Sequence, residues 1–188
     1  MEALKKHKIT HLSASNINTF ITNPAEWVMN YIYKLPYSSS AAAERGKYIE
    51  KALFHILGNG ESVDKVIEEQ SYFFAETCKE MKVPEEEYLK EKEFVQRAIK
   101  VLPEHLSKFG KIVGYQKKIG YNYKGIDIIG YTDFDFELPD GSPLILDLKT
   151  TKKINVSSGH KIAQHIYKTA TNQPNKLFYV QVLKKDEK

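Results

Sequence analysis

The stretch Leu144-Ile-Leu-Asp-Leu-Lys149 ends an apolar run with an aspartate and a lysine two positions apart. Side chains alternate between the two faces of a β-strand, so Asp147 and Lys149 share one face, and the leucines at 146 and 148 take the other. The apolar run predicts a mostly buried strand. Asp147 and Lys149 are either an exposed pair at a sheet edge or a functional site, and burial favours the site because buried charges need a reason.

A second acidic strand precedes this one in the sequence. Gly130-Tyr-Thr-Asp133 lies in a predicted strand over residues 126–138, and Pro139-Asp-Gly-Ser142 is a turn signature. If the two strands pair as a hairpin, Asp133 lies near Asp147. Two carboxylates make an oxygen site for a hard cation such as Mg²⁺, and a neighbouring lysine can orient water or stabilise developing negative charge. The pattern therefore suits phosphodiester hydrolysis.

The remaining chain predicts helices first and strands later. Helices are expected over residues 12–34 with a break at Asn23-Pro24, 41–57, from 62 to about 81, from 84 onward with a break or kink at Pro103, and 159–171. The other strands are expected from residue 111 and over 177–183. This order indicates one α/β domain over residues 1–188, with a helical part over about 12–109 and a catalytic sheet and helix over about 111–184.

Composition narrows the class of protein. The chain has 188 residues, of which 41% are apolar and 28% charged, as in a globular domain, and its net charge of +4 points only weakly to phosphate partners. The single cysteine, Cys78, excludes an intrachain disulfide and predicts a reducing setting. With no apolar leader and no stretch long enough for a membrane span, we expect a cytoplasmic protein.

Four features in chain order resemble the RecB-type nucleases of the PD-(D/E)XK superfamily. They are Leu12-Ser-Ala-Ser-Asn-Ile-Asn-Thr-Phe20 followed by Asn23-Pro24, then Arg45-Gly46, then Asp133 with Asp147-Leu-Lys149, and finally Gln164 with Tyr167. Together these features span roughly residues 12–180. The resemblance implies a restriction-endonuclease-like core, in which a central mixed β-sheet of about four or five strands is flanked by helices.

Three positions depart from the family pattern. Glu50 stands where many relatives have a histidine, four residues past Gly46. Gln164 and Tyr167 are three residues apart where relatives often have four, although either spacing keeps both on one helical face. Asn23-Pro24 stands where cluster-bearing relatives have a cysteine, so the resemblance implies a member without an iron–sulfur cluster.

Glu50 also draws attention on physical grounds. At about 100° per residue, it falls at the edge of the apolar arc of its helix, beside Gly46 and Leu53. A carboxylate there is either a poorly placed surface residue or an inward-pointing ligand. We favour the ligand, which would complete an acidic cluster with the two aspartates. The backbone carbonyl of Leu148 is a candidate for a further ligand.

The resemblance, together with the position of Glu50 on its helix, predicts roles for these residues, with Mg²⁺ as the expected cofactor and Mn²⁺ as its substitute. The expected catalytic residues are Asp133, Asp147, Lys149 and Glu50, and the expected metal ligands are Glu50, Asp133, Asp147 and the Leu148 carbonyl. Lys149 would orient the nucleophilic water. Substrate contacts are expected from Gln164, Tyr167 and Arg45. For Arg45, a bidentate grip on phosphate and an ion pair with a neighbouring acid are both open.

The function expected from these features is metal-dependent cleavage of DNA. Small relatives without a helicase often act as exonucleases, so we favour an exonuclease of recombination, repair or phage replication. The alternatives are an endonuclease, a non-catalytic DNA- or partner-binding protein on the nuclease fold, and an unrelated α/β binding module. DNA is the expected partner and a membrane is not; a recombination or replication protein and a second copy of the chain are compatible with the sequence.

Overall fold

The computed structural model describes residue 4 and residues 6–35, 39–151, 157–171 and 176–184. The chain forms two compact units, each built from three separate segments. The first unit comprises Met1–Ser38, Gln116–Thr132 and Asn155–Leu177. The second comprises Ser39–Tyr115, Asp133–Ile154 and Phe178–Lys188.

Six α-helices and five β-strands lie in the described part of the chain. The helices are α1 (Ala14–Thr22), α2 (Pro24–Trp27), α3 (Ala41–Leu53), α4 (Val63–Glu80), α5 (Glu85–Leu106) and α6 (Ser158–Thr171). The strands are β1 (His11–Ser13), β2 (Lys111–Tyr123), β3 (Ile126–Glu137), β4 (Pro143–Thr151) and β5 (Lys176–Leu183). Wide π-helical turns extend α2 over Val28–Ile32 and α3 over Phe54–Gly58. No helix in these ranges is both long and apolar enough to cross a bilayer.

The strands form one mixed sheet in the order β1-β3-β4-β5, with β2 also paired to β3. Strand β1 runs parallel to β3, with Leu12 opposite Ile128. Strands β3 and β4 form the expected antiparallel hairpin, whose paired residues run from Glu137 opposite Pro143 to Phe134 opposite Leu146. The predicted class, a mixed sheet with helices, is therefore confirmed.

Local sequence signals explain how the first unit begins its helices. The Ser13 hydroxyl accepts a hydrogen bond from the Asn16 amide and caps α1. Asn23 caps α2 in the same way, and Pro24 occupies the first turn, where its missing N–H costs nothing. The buried Asn16 side chain in turn accepts a hydrogen bond from the Trp27 indole at 2.8 Å, which ties α1 to α2.

A large apolar core organises the second unit. Its fully buried side chains come from α3, α4, α5 and the two central strands, and the largest are Phe74, Phe134, Phe136, Ile49, Leu53, Ile99, Leu106, Leu144 and Leu146. Each such side chain contributes roughly 1.5–3 kcal/mol of transfer free energy. The core therefore holds the β3–β4 hairpin against α3.

The structure corrects two sequence-based expectations. The helical segment expected from residue 12 begins only at Ala14, because residues 11–13 pair with β3 as strand β1 before Ser13 caps the helix. Pro103 does not break its helix, because α5 continues through it to Leu106, where a 3₁₀ turn follows. Pro103 lies one turn from the helix end and is buried, so its packing offsets the loss of a single backbone hydrogen bond.

Gly110 provides a test of the turn that leads into β2. Its φ is +105°, and a Cβ there would lie 2.2 Å from the Glu137 carbonyl oxygen. We expect Gly110→Ala to lower the free energy of unfolding by about 3 kcal/mol or more, measured by urea denaturation, because left-handed strain and a backbone clash add.

Gly141 is the matched control, because its φ is +77° and a Cβ there would meet nothing within 4 Å. Gly141→Ala should cost only about 1–2 kcal/mol, from backbone strain alone. Equal losses in the two variants would contradict the proposed close approach at Gly110.

Candidate active site

Asp133 and Asp147 come together where the pairing of β3 and β4 changes. The ladder runs as far as Phe134 opposite Leu146. Past that pair, the backbone amide of Leu148 donates a hydrogen bond of 2.8 Å to Oδ2 of Asp133. A carboxylate thus takes a backbone donor of the neighbouring strand, and this bond fixes the orientation of Asp133.

Lys149 joins the two carboxylates. Its Nζ lies 2.9 Å from Oδ2 of Asp147 and 3.5 Å from Oδ2 of Asp133. Asp147 is only 3% exposed, so the pair does not lie at a solvated sheet edge. The alternation of side chains along β4 therefore places Asp147 and Lys149 on one face, and the structure brings the three residues together.

Asp133, Asp147 and Lys149 carry more negative than positive charge, and the two carboxylates are largely buried. Burial raises the pKa of Asp133, and the charge of Asp147 adds to this against the lowering effect of Lys149, so that the value reaches about 6. Burial lowers the pKa of Lys149, but the two carboxylates outweigh it and raise the pKa above its usual value. Two carboxylates and one ammonium leave an excess negative charge, and this donor set fits a divalent cation.

Tyr115 of β2 is a residue of this region that the sequence reasoning missed. Burial, and then the charges of Glu50 and Asp133, raise the pKa of Tyr115 to about 12. Its ring stacks on Phe54, with 4.3 Å between ring centroids. Glu50 and Asp133 therefore both act on the same hydroxyl. No local sequence pattern predicts that Tyr115 lies near these carboxylates, because its position depends on the pairing of β2 with β3.

The expected three-carboxylate metal site is not assembled in this structure. In the described ranges, no group of three or more His, Cys, Asp or Glu side chains is placed to hold a metal ion. Glu50 is half-buried on α3, and the Lys149 ammonium lies beside the two aspartates and offsets part of their charge. A metal-ligand role for Glu50 remains a prediction.

Arg45 is buried rather than open to a substrate. It is 3% exposed, and its Nη1 lies 2.5 Å from Oε2 of Glu91 on α5. Of the two alternatives from the sequence, the geometry thus favours the ion pair over a grip on phosphate. The reason is the packing of α3 against α5, which turns the guanidinium inward.

Gln164 and Tyr167 lie on α6 in the first unit. Gln164 is half-buried, whereas Tyr167 is only 6% exposed. The Tyr167 hydroxyl donates to the carbonyl of Tyr131 at 2.9 Å, and its ring lies over Gly130, where a Cβ would be 3.1 Å away. Tyr167 thus packs against β3 at residues 130 and 131, and its hydroxyl is engaged with the backbone there.

The raised pKa of Asp133 predicts a pH-dependent stability. Its folded value of about 6 exceeds the ordinary 3.8, so the folded state binds more protons between these values. Stability should therefore fall as pH rises from about 4 to 6. We expect Asp133→Asn without divalent metal to be more stable than wild type at pH 8 by about 1–3 kcal/mol, because it removes a buried charge. This difference should shrink towards pH 4 in urea unfolding, and a constant difference at all pH values would refute it.

Comparison with known proteins agrees with the fold described above. A crystal structure of a protein from Eubacterium rectale named "Putative exonuclease" superposes with a TM-score of 0.58 at 15% sequence identity, covering 96% of this chain and 69% of that chain. No curated protein sequence matches. The family model of the PD-(D/E)XK nuclease superfamily, whose members generally use divalent metal ions, matches residues 11–188. The chain belongs to the PD-(D/E)XK nuclease superfamily.

Proposed function

We propose that this protein is a Mg²⁺-dependent exonuclease that hydrolyses DNA phosphodiester bonds. The observation that carries the proposal is the buried pair Asp133 and Asp147, with the Lys149 ammonium 3.5 and 2.9 Å from them. Buried like charges are costly and cluster at functional sites. If these positions served stability alone, apolar residues would often stabilise the fold as well or better.

The oxygen atoms available here suit a small hard cation. Asp133 and Asp147 are the first ligands we propose, and Glu50 is the third. The carbonyl of Leu148 adds a fourth, because the N–H and C=O of one residue point to the same side of an antiparallel strand, and its N–H already faces Asp133. Mg²⁺, or Mn²⁺ in its place, would supply charge neutralisation at the phosphate and lower the pKa of water there.

Lys149 is the proposed hydrogen-bond donor of the reaction. Its ammonium carries three N–H groups and no acceptor, and the neighbouring carboxylates hold it in the charged form. From a place next to both aspartates, it can orient the attacking water and stabilise negative charge that develops on the phosphate oxygens. Asp147, at 2.9 Å, keeps the ammonium within reach of that position.

The choice of exonuclease rests on two supports. The protein from Eubacterium rectale with a similar fold carries the name "Putative exonuclease". In the family that the sequence resembles, small members without a helicase often act as exonucleases. Recombination, repair or phage replication in a cytoplasm is the setting we propose. Gln164 and Tyr167 are proposed to shape the site for the DNA strand.

A cleavage assay with two DNA forms tests the function. Wild type should degrade end-labelled linear DNA but leave closed circular DNA intact, with Mg²⁺ or Mn²⁺ and not with EDTA. Lys149→Ala and Asp147→Asn should each lower the rate by about 1000-fold, since each removes a group that acts on the transition state. Lys90→Ala is the control, because Lys90 is an exposed lysine paired with Glu86, and it should cleave at the wild-type rate.

Each other outcome has a definite meaning. Cutting of the circle would make the protein an endonuclease. Full activity in Lys149→Ala would remove this lysine from the site. DNA binding without any cleavage by wild type would favour a non-catalytic binding protein on the nuclease fold.

Glu50→Gln tests the third ligand separately. If Glu50 contacts the metal, the Mg²⁺ concentration for half-maximal rate should rise by about 10–100-fold, as measured by titration of the cleavage rate. Glu44→Gln on the same helix is the matched control, because the Glu44 carboxylate pairs with Lys47. Identical Mg²⁺ dependence in the two variants would place Glu50 outside the metal site.

A further inference from the structure

Three buried charged side chains form a network in the second unit. Arg45 of α3 and Lys184, just after β5, both bind the carboxylate of Glu91 on α5. Arg45 Nη1 lies 2.5 Å from one oxygen and Lys184 Nζ lies 2.8 Å from the other. The side chains are 4%, 14% and 7% exposed for Arg45, Lys184 and Glu91. The network therefore connects two helices and a strand through a single carboxylate.

The same two cationic residues also hold the backbone of β4. Arg45 Nη2 donates to the carbonyl of Thr150 at 3.3 Å. The Lys184 backbone N–H donates to the carbonyl of Thr151 at 2.9 Å. These are the two carbonyls that directly follow Lys149. The network thus grips β4 at the two residues after the lysine of the site.

The contact between α3 and β4 is close at this point. A Cβ on Gly46, the residue after Arg45, would lie 3.3 Å from Oγ1 of Thr150. The Arg45 guanidinium lies 4.9 Å from the centre of the Phe94 ring. Its fork therefore points Nη1 at Glu91 and Nη2 at the strand, whereas a lysine in its place would have a single nitrogen for both acceptors.

Stability alone does not account for three buried charges. Burial raises the pKa of Glu91, but hydrogen bonds from Lys184 and Arg45 outweigh it and lower the pKa, so the carboxylate is ionised at neutral pH. Replacing a buried ion network by apolar residues is often neutral or stabilising. What apolar residues cannot do is donate hydrogen bonds to chosen backbone carbonyls.

We propose that Arg45 is a positioning residue for the reaction. Through Glu91 and Lys184, it fixes the backbone after Lys149, and it thereby sets the place of the Lys149 ammonium beside Asp133 and Asp147 without touching DNA. This inference rests on the proposed nuclease function. It gives the arginine of the Arg45-Gly46 pair a role that differs from phosphate binding.

Arg45→Lys is the decisive variant, because it keeps the positive charge beside Glu91 and loses the second arm to Thr150. We expect kcat on linear DNA with Mn²⁺ to fall by about 10–100-fold, while KM for DNA stays within about twofold. In metal-free protein, hydrogen–deuterium exchange over residues 144–151 should become faster. Glu91→Gln is the second variant and should act in the same direction.

The control is Glu86→Gln, since Glu86 is an exposed glutamate of α5 paired only with Lys90 among the ion pairs described. It should leave kcat, KM and exchange unchanged. A raised KM with kcat retained would overturn the inference and place Arg45 on the DNA. A lower melting temperature with unchanged kcat and exchange would reduce the network to stability alone and overturn it too.

Hydrogen exchange separates this inference from the proposed function. If wild type cleaves no DNA, the proposed function fails, and the exchange over residues 144–151 still decides whether Arg45 holds the strand. Faster exchange in Arg45→Lys than in Glu86→Gln would support the positioning role, and equal exchange would refute it.

Discussion

The burial of Asp133 beside Asp147, with one ammonium between two carboxylates, is the constraint on which the rest of this structure depends. Burial and mutual repulsion raise the pKa of Asp133 to about 6, so the folded state carries an electrostatic cost at neutral pH. Strands β3 and β4, which carry these charges, also bury apolar side chains whose transfer free energy offsets the electrostatic cost. Phe134 and Leu146, neighbours of the aspartates in sequence, are fully buried on the opposite face of the same two strands. The site and the apolar core thus lie on opposite faces of the β3–β4 hairpin.

The site is made from the sheet's own hydrogen-bonding groups. Where the β3–β4 ladder reaches Phe134 and Leu146, the next amide to face β3, that of Leu148, donates to the Asp133 carboxylate. A charge-assisted bond of this kind is stronger than an ordinary backbone bond. It also makes the position of Asp133 depend on the position of β4. Any element that holds β4 near Lys149 therefore acts on the whole site.

Local patterns were enough to predict the parts of the fold that short segments decide. The apolar run before Asp147, the turn over residues 139–142 and the helix break at Asn23-Pro24 all lie within a few residues of what they determine. Strand β1 was missed because three residues carry no detectable period, and its partner in β3 lies more than a hundred residues away. The contact of Arg45 with Glu91 and the place of Tyr115 are equally non-local. Pro103 shows tertiary burial overriding a local rule.

The Arg45 side chain points inward because its ion pair with Glu91 is worth more free energy than a contact with phosphate would be. To reach a phosphate, the guanidinium would have to leave Glu91, which would keep the ammonium of Lys184 but lose one of its two cationic partners. Breaking a buried ion pair costs up to about 3–5 kcal/mol. A new phosphate contact of about 1.5–3 kcal/mol would not offset that loss. Gly46 has no Cβ, and this allows α3 to approach Thr150 closely. Arg45 and Gly46 therefore act together. Gly46 leaves room for β4 next to α3, and Arg45 donates a hydrogen bond to the carbonyl of Thr150.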